Sequence, residues 1–94
     1  MAIYLVLSKF QNKRDTGTLK QRAQKVHDAT YKELPGSKWS CQYSVEGGDF
    51  DLVDVVETDD SAASEKISEI IRSHGQAEAK VLRVTPWKQY LSSL

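Results

Sequence analysis

The opening strand sets the strongest limit on what this chain can become. In "AIYLVLSKF", residues 2–10, Ile3, Leu5 and Leu7 take one face of a β-strand while Tyr4, Val6 and Phe10 take the other. A strand that is apolar on both faces needs cover on both. The chain has 94 residues, which make a single domain, 1–94, with a core burying roughly two thirds of the unfolded surface. Internal disulfides are excluded, because Cys41 is the single cysteine. A partner subunit is then the natural source of further cover.

Periodicity along the chain places the other elements. Thr18 and Gln21 fit a capping box that starts a helix, and Leu19, Ala23, Val26, Thr30 and Leu34 give it one apolar stripe before Pro35-Gly36 stops it. Residues 37–46 alternate as a half-buried strand, with Trp39, Cys41, Tyr43 and Val45 on one face. Gly47-Gly48 predicts a two-residue hairpin turn, and Phe50 to Glu57 returns as a β-branched strand. Thr58-Asp59-Asp60-Ser61 offers caps for a second helix, whose stripe is Ala63, Ile67, Ile70 and Ile71 and whose stop is Gly75. Ala77 to Pro86 supplies the last strand.

The order β-α-β-β-α-β, with right-handed crossovers, predicts a ferredoxin-like α+β fold: a four-stranded antiparallel sheet with both helices on one face. The uncovered apolar face then predicts a two-fold homodimer packed sheet against sheet, with a higher oligomer left open. After Pro86, the residues Trp87, Tyr90, Leu91 and Leu94 fall on one side of a short helix. Such a helix is unstable alone and is expected to dock, on its own subunit or on the partner.

Charge argues against several partners. Thirteen basic and thirteen acidic residues cancel, so the basic footprint of a nucleic-acid binder is missing. Locally, six bases face one acid between Lys9 and Lys25, and nine acids face one base between Glu46 and Glu69. The topology brings Lys9, Lys13 and Arg14 to the same sheet edge as Asp49 and Asp51, where pairing is expected. The first apolar run is too short, and lacks a basic lead, for a signal core or membrane helix. The single thiol predicts a reducing, cytoplasmic setting.

Candidate chemistry is sparse. Asp49 and Asp51 share one face of the hairpin and Asp54 takes the other, so no metal and no cofactor are expected. His74 in the last turn of its helix reads as a C-terminal cap, and Cys41 as inert core packing. His27 borders the helix–sheet cleft, either as a boundary residue or as a cleft acid/base. Asp54 interrupts an apolar central strand, and a buried carboxylate needs a partner. A two-residue turn pairs it with Cys41, and a one-residue shift places it beside Gln42. It is either a contact at the dimer seam or to Arg83, or a polar group in a ligand cavity with Trp39 and Tyr43.

Gly48-Asp49-Phe50-Asp51, followed by Leu52 to Val56, resembles the hairpin motif of the GYD family, small proteins of the dimeric α/β-barrel type. The likeness extends to the opening strand, to the helix ending at Gly75 and to "KVLRVTPWKQYL". Phe50 stands where the family often has tyrosine, and Asp54 where an apolar or small residue is expected. The resemblance implies the fold and dimerisation, but no reaction. "GGDF" is also similar to the GGDEF signature of nucleotide cyclases. Here, however, Asp49 is followed by Phe50-Asp51, the chain is too short for that domain, and strand one lacks a metal-binding acid. Together these features predict a small-molecule-binding protein with His27, Trp39, Tyr43 and Asp54 at its cleft. The alternative is a cofactor-independent enzyme of the monooxygenase or isomerase kind on the same barrel, with His27 or Asp54 as base, which is analogy by fold.

Overall fold

The structure is a computed structural model that describes residues 1–11 and 16–94. Its elements run β1 (Ala2–Phe10), α1 (Thr16–Glu33), β2 (Lys38–Ser44), β3 (Leu52–Thr58), α2 (Ala63–Gly75), β4 (Ala77–Val84) and α3 (Trp87–Ser92). Four antiparallel strands lie in the order β2-β3-β1-β4, which is the ferredoxin-like arrangement that the element order predicts. Helix α1 begins at Thr16, so Thr18 lies inside the first turn and is not its cap. The pairing expected of Lys13 and Arg14 lies outside the described residues.

The strand registers sort the two faces. On the helix side, Tyr4 pairs with Val56 and Val6 with Asp54, while Val6 also pairs with Val81. Tyr4, Val6 and Val56 join Ile67, Ile70 and Ile71 of α2 in the core, which Leu34 and Ala77 complete. The apolar stripe foreseen for the second helix is buried throughout. Asp60 closes the turn ahead of α2: its Oδ1 accepts the Ala62 N–H at 2.8 Å and its Oδ2 takes the Lys66 ammonium at 2.6 Å.

The first helix behaves differently. It packs on α2 rather than flat on the sheet, and Gly75 makes that contact possible. A Cβ on Gly75 would sit 3.1 Å from Val26 Cγ2, closer than ordinary van der Waals contact. The residue that turns out of α2 is instead Gln76, in the left-handed conformation at φ 49° and ψ 51°. Gly75 therefore permits helix–helix approach, and a non-glycine residue carries the left-handed strain. Gln76→Gly is expected to stabilise the fold by about 0.5–1 kcal/mol, relief of that strain being partly offset by a freer unfolded chain. Urea unfolding measures it, and a loss of stability would contradict this account.

Arg22 locks the same corner. Its guanidinium is buried, and Nη1 donates to the Gln11 carbonyl at 2.6 Å while lying 3.5 Å from the carbonyls of Gly75 and Gln76. A cation at the carbonyl end of α2 is favourable for the helix dipole. His74 lies exposed in the last turn of α2, where it was expected, and Arg22 from α1 serves the same terminus.

The far face of the sheet carries an unbroken apolar field. Val55, Leu5 and Leu82 lie in one row, Tyr43, Val53 and Leu7 in the next, and Ile3 beside Val84. Charged residues rim it, with Lys38 opposite Glu57. No described helix covers this face. The C-terminal helix also stands clear of the core, with Trp87, Tyr90, Leu91 and Leu94 all exposed. Its two rings stack on each other at 5.7 Å.

Candidate functional site

A cavity of about 570 Å³ opens between α1 and the helix-facing side of β2 and β3. It lies where α1 packs on α2 and stands off the sheet. Ala23 and Thr30 face a space that larger side chains would fill, and both line the cavity. Phe10, Leu19, Val26, Leu34, Leu52 and Ile71 supply its apolar walls.

Asp54 stands on the cavity wall. It is 2% exposed, and its Oδ1 is buried with no hydrogen-bond partner among the described residues. Burial pushes its carboxyl above the ordinary range, and hydrogen bonding from the Gln42 side chain works against that shift. Trp39 contributes a second orphan, because its Nε1 is also buried without a partner there. Buried polar groups are normally satisfied, so such atoms on neighbouring cavity-lining residues are unusual.

A β-bulge shapes this wall. Ser40 pairs with Val55 and Tyr43 with Val53, which leaves Cys41 and Gln42 both opposite Asp54. The two registers that the sequence left open are therefore both used. Cys41 takes the strain, at φ 53°. The extra residue turns Gln42 toward the cavity and sends Tyr43 to the far face, where it is 64% exposed. The expectations for two residues are corrected accordingly. Tyr43 does not line the cleft, because the bulge reverses the alternation after Ser40. Cys41 is exposed rather than buried in the core.

His27 lines the cavity at its rim, with a side chain 63% exposed. Its ring centroid lies 5.0 Å from that of Tyr31, and Nδ1 is 3.6 Å from the Asp28 carboxylate. The structure thus brings His27, Trp39 and Asp54 to one cavity and leaves Tyr43 outside. It adds Gln42 and Arg22, which strand alternation and helical periodicity did not single out. The signal for Gln42 was the alternative register. No sequence signal distinguished Arg22 from its basic neighbours.

Asp51 has a structural task. Its Oδ2 accepts the Phe10 N–H at 2.9 Å, its own N–H donates to the Ser8 carbonyl at 2.8 Å, and its carbonyl accepts the Val45 N–H at 2.8 Å. These bonds fasten the hairpin to the end of β1. The turn is longer than two residues, spanning 46–50 between Val45 and Asp51, with Gly47 and Gly48 at φ 82° and 85°. Gly48 supplies a conformation that side chains resist, and Phe50 is half-buried beside it. Among the described residues, no three His, Cys, Asp or Glu side chains gather as a metal site. No helix among them is long and apolar enough to cross a membrane.

The sequence profile of the GYD domain matches residues 4–94. No curated protein matches the chain. Among solved structures, the chain is similar to the solution NMR structure of the de novo designed protein LFR1 1 with a ferredoxin fold. Identity is 13% over 92% of this chain and 86% of that one, with a TM-score of 0.45.

Proposed function

The chain belongs to the GYD domain family, and from that premise we propose that it is a dimeric small-molecule-binding protein. The family has no defined biochemical role, so the reading rests on the site. One observation carries it: the buried, unpartnered Oδ1 of Asp54 on the wall of a cavity of about 570 Å³. Leaving one oxygen of a buried carboxyl unsatisfied costs the fold free energy, and a ligand that satisfies it offsets that cost. The volume lies within the range of small-molecule sites, roughly 300–1,000 Å³.

Dimerisation is the second part of the proposal. The apolar far face and the exposed apolar side of α3 support it, since large uncovered patches mark interfaces. Packing sheet to sheet leaves the cavity free, because the cavity lies on the opposite side. The single thiol, Cys41, supports a cytoplasmic location.

Catalysis of the cofactor-independent monooxygenase or isomerase kind is a second reading. It draws on His27 and Asp54 lining the same cavity. With His27 at the rim, the two groups would meet different parts of a ligand rather than act as a close acid/base pair.

Native mass spectrometry of protein taken directly from cells tests the main reading. The expected result is a dimer retaining a small organic adduct, and a weaker adduct in Ala23→Phe, which brings a ring to the cavity wall. An adduct-free wild type, or an equal adduct in the variant, overturns it.

A further inference from the structure

We propose that Tyr43 is a built-in plug for the cavity: the second half of β2 changes register by one residue, and in the alternative register Tyr43 turns from the far face into the cavity. As control over a ligand, this rests on the cavity being a ligand site; the change of register does not. The first half of β2 already holds the alternative register. Lys38, Trp39 and Ser40 pair with Glu57, Val56 and Val55. Continued without the bulge, the same register pairs Cys41 with Asp54, Gln42 with Val53 and Tyr43 with Leu52. It ends with Glu46 opposite Asp49, which leaves Gly47 and Gly48 as a two-residue turn.

Residues directly opposite each other in an antiparallel pair share a face. Leu52 lines the cavity, so a tyrosine opposite it enters the cavity, and Gln42 moves to the far face with Val53. The space is sufficient. A cavity of about 150 Å³ holds a benzene ring, and this one is about 570 Å³. Gly47 and Gly48 stand at φ 82° and 85°, the positive sign that a type I′ turn needs at both central residues. Asp51 keeps its bonds to Ser8 and Phe10 of β1, and Ser44 replaces Val45 opposite it.

Opposing costs set the balance between the two registers. The bulge holds Cys41 at φ 53°, a conformation disfavoured by roughly tenfold for a residue other than glycine. It also leaves Tyr43 64% exposed. In return, the Gln42 side chain hydrogen-bonds Asp54, and Tyr43 extends the apolar far face. The bulge-free register removes the strain and buries the phenol ring, but it gives up the Gln42 bond. An occupied cavity has no place for that ring. A ligand therefore selects the bulged register, and an empty cavity favours the plugged one.

The test follows the Tyr43 ring by nuclear Overhauser contacts in ligand-free protein, using two variants that push the equilibrium in opposite directions. Gly47→Asn supplies the Asn-Gly pair preferred in type I′ turns, and a Cβ there meets nothing within 4 Å. Cys41→Gly removes the strain of the bulge. The expected result in Gly47→Asn is contact of the Tyr43 ring with the Leu52 and Val26 methyls. Relaxation dispersion at residues 41–46 should show an inward population about tenfold lower in Cys41→Gly than in the wild type. Tyr43 contacts confined to Leu7 and Val53 in Gly47→Asn overturn the proposal. Saturating Gly47→Asn with tert-butylbenzene should abolish the inward contacts, and inward contacts that persist beside bound probe overturn the plug. A probe that perturbs no cavity resonance in Cys41→Gly ends the ligand reading of the cavity and the plug's control over it, while the inward contacts still establish the change of register.

Discussion

Leu5→Glu is expected to convert the protein from a dimer to a monomer at micromolar concentration, read by sedimentation, with its far-ultraviolet spectrum unchanged. Leu5 sits at the centre of the apolar far face, between Val55 and Leu82. Its neighbours Tyr4 and Val6 point to the helix side and form the core. The substitution therefore leaves the fold's own packing intact. In a two-fold interface it buries a carboxylate from each protomer near the axis, at several kcal/mol per ion. A loss of about 4 kcal/mol weakens association roughly a thousandfold. Acidification below the range of glutamate, about pH 4, should restore part of the dimer. A wild-type protein that is itself a monomer would end the sheet-to-sheet proposal, and a variant that stays dimeric would move the interface elsewhere.

Asp54→Asn is expected to be more thermostable than the ligand-free wild type at neutral pH, with the advantage shrinking as pH falls. Burial raises the Asp54 carboxyl above its ordinary value, so the folded state holds this proton more tightly than the unfolded chain does. Below the unfolded value, about 3.9, both states are protonated and the wild type bears no charge penalty. As pH rises through the higher folded value, the native state must ionise a buried group, and stability is lost. Asparagine has nearly the same shape and never ionises. Thermal midpoints should therefore lie closest near pH 3.5 and separate by several degrees at neutral pH, about what 1 kcal/mol does in a domain this size. His27 and Arg22 line the same cavity, and both proteins carry them. A pH-independent difference, or one that grows on acidification, would show that Asp54 is satisfied in the folded protein.

Asp54 illustrates how far sequence reasoning reaches. Its misfit was legible as a carboxylate in an otherwise apolar central strand. Whether it faced a dimer seam, Arg83 or a cavity was not, because each choice depends on register and on what stands above the strand. The structure turns it to the helix side, away from the far face and onto the cavity wall. Tyr43 shows the opposite case. Strict alternation in residues 37–46 gave no sign of a bulge, since one inserted residue leaves no compositional mark when Cys41, and not glycine, adopts the positive φ. Gly75 ends α2 where the sequence placed the stop, but it does not take the left-handed conformation, which falls to Gln76. A glycine near a helix end fits a left-handed stop, yet here it is the close approach of Val26 that requires it.

By itself, the sequence determined the element order, the buried stripe of α2, and the two-faced apolar character of β1 that leaves one sheet face to be covered. These follow from periodicity, which each short segment carries within its own residues. Tertiary structure alone decided that α1 leans on α2 and stands off β2 and β3, that a bulge turns Gln42 inward and Tyr43 outward, and that Asp54 and Trp39 meet at one cavity. The physical reason is that such features are set by side-chain volumes and strand registers contributed by elements far apart in the chain. An alanine at position 23 is short in every context, but it opens a cavity only because the neighbouring helix holds α1 away from the sheet.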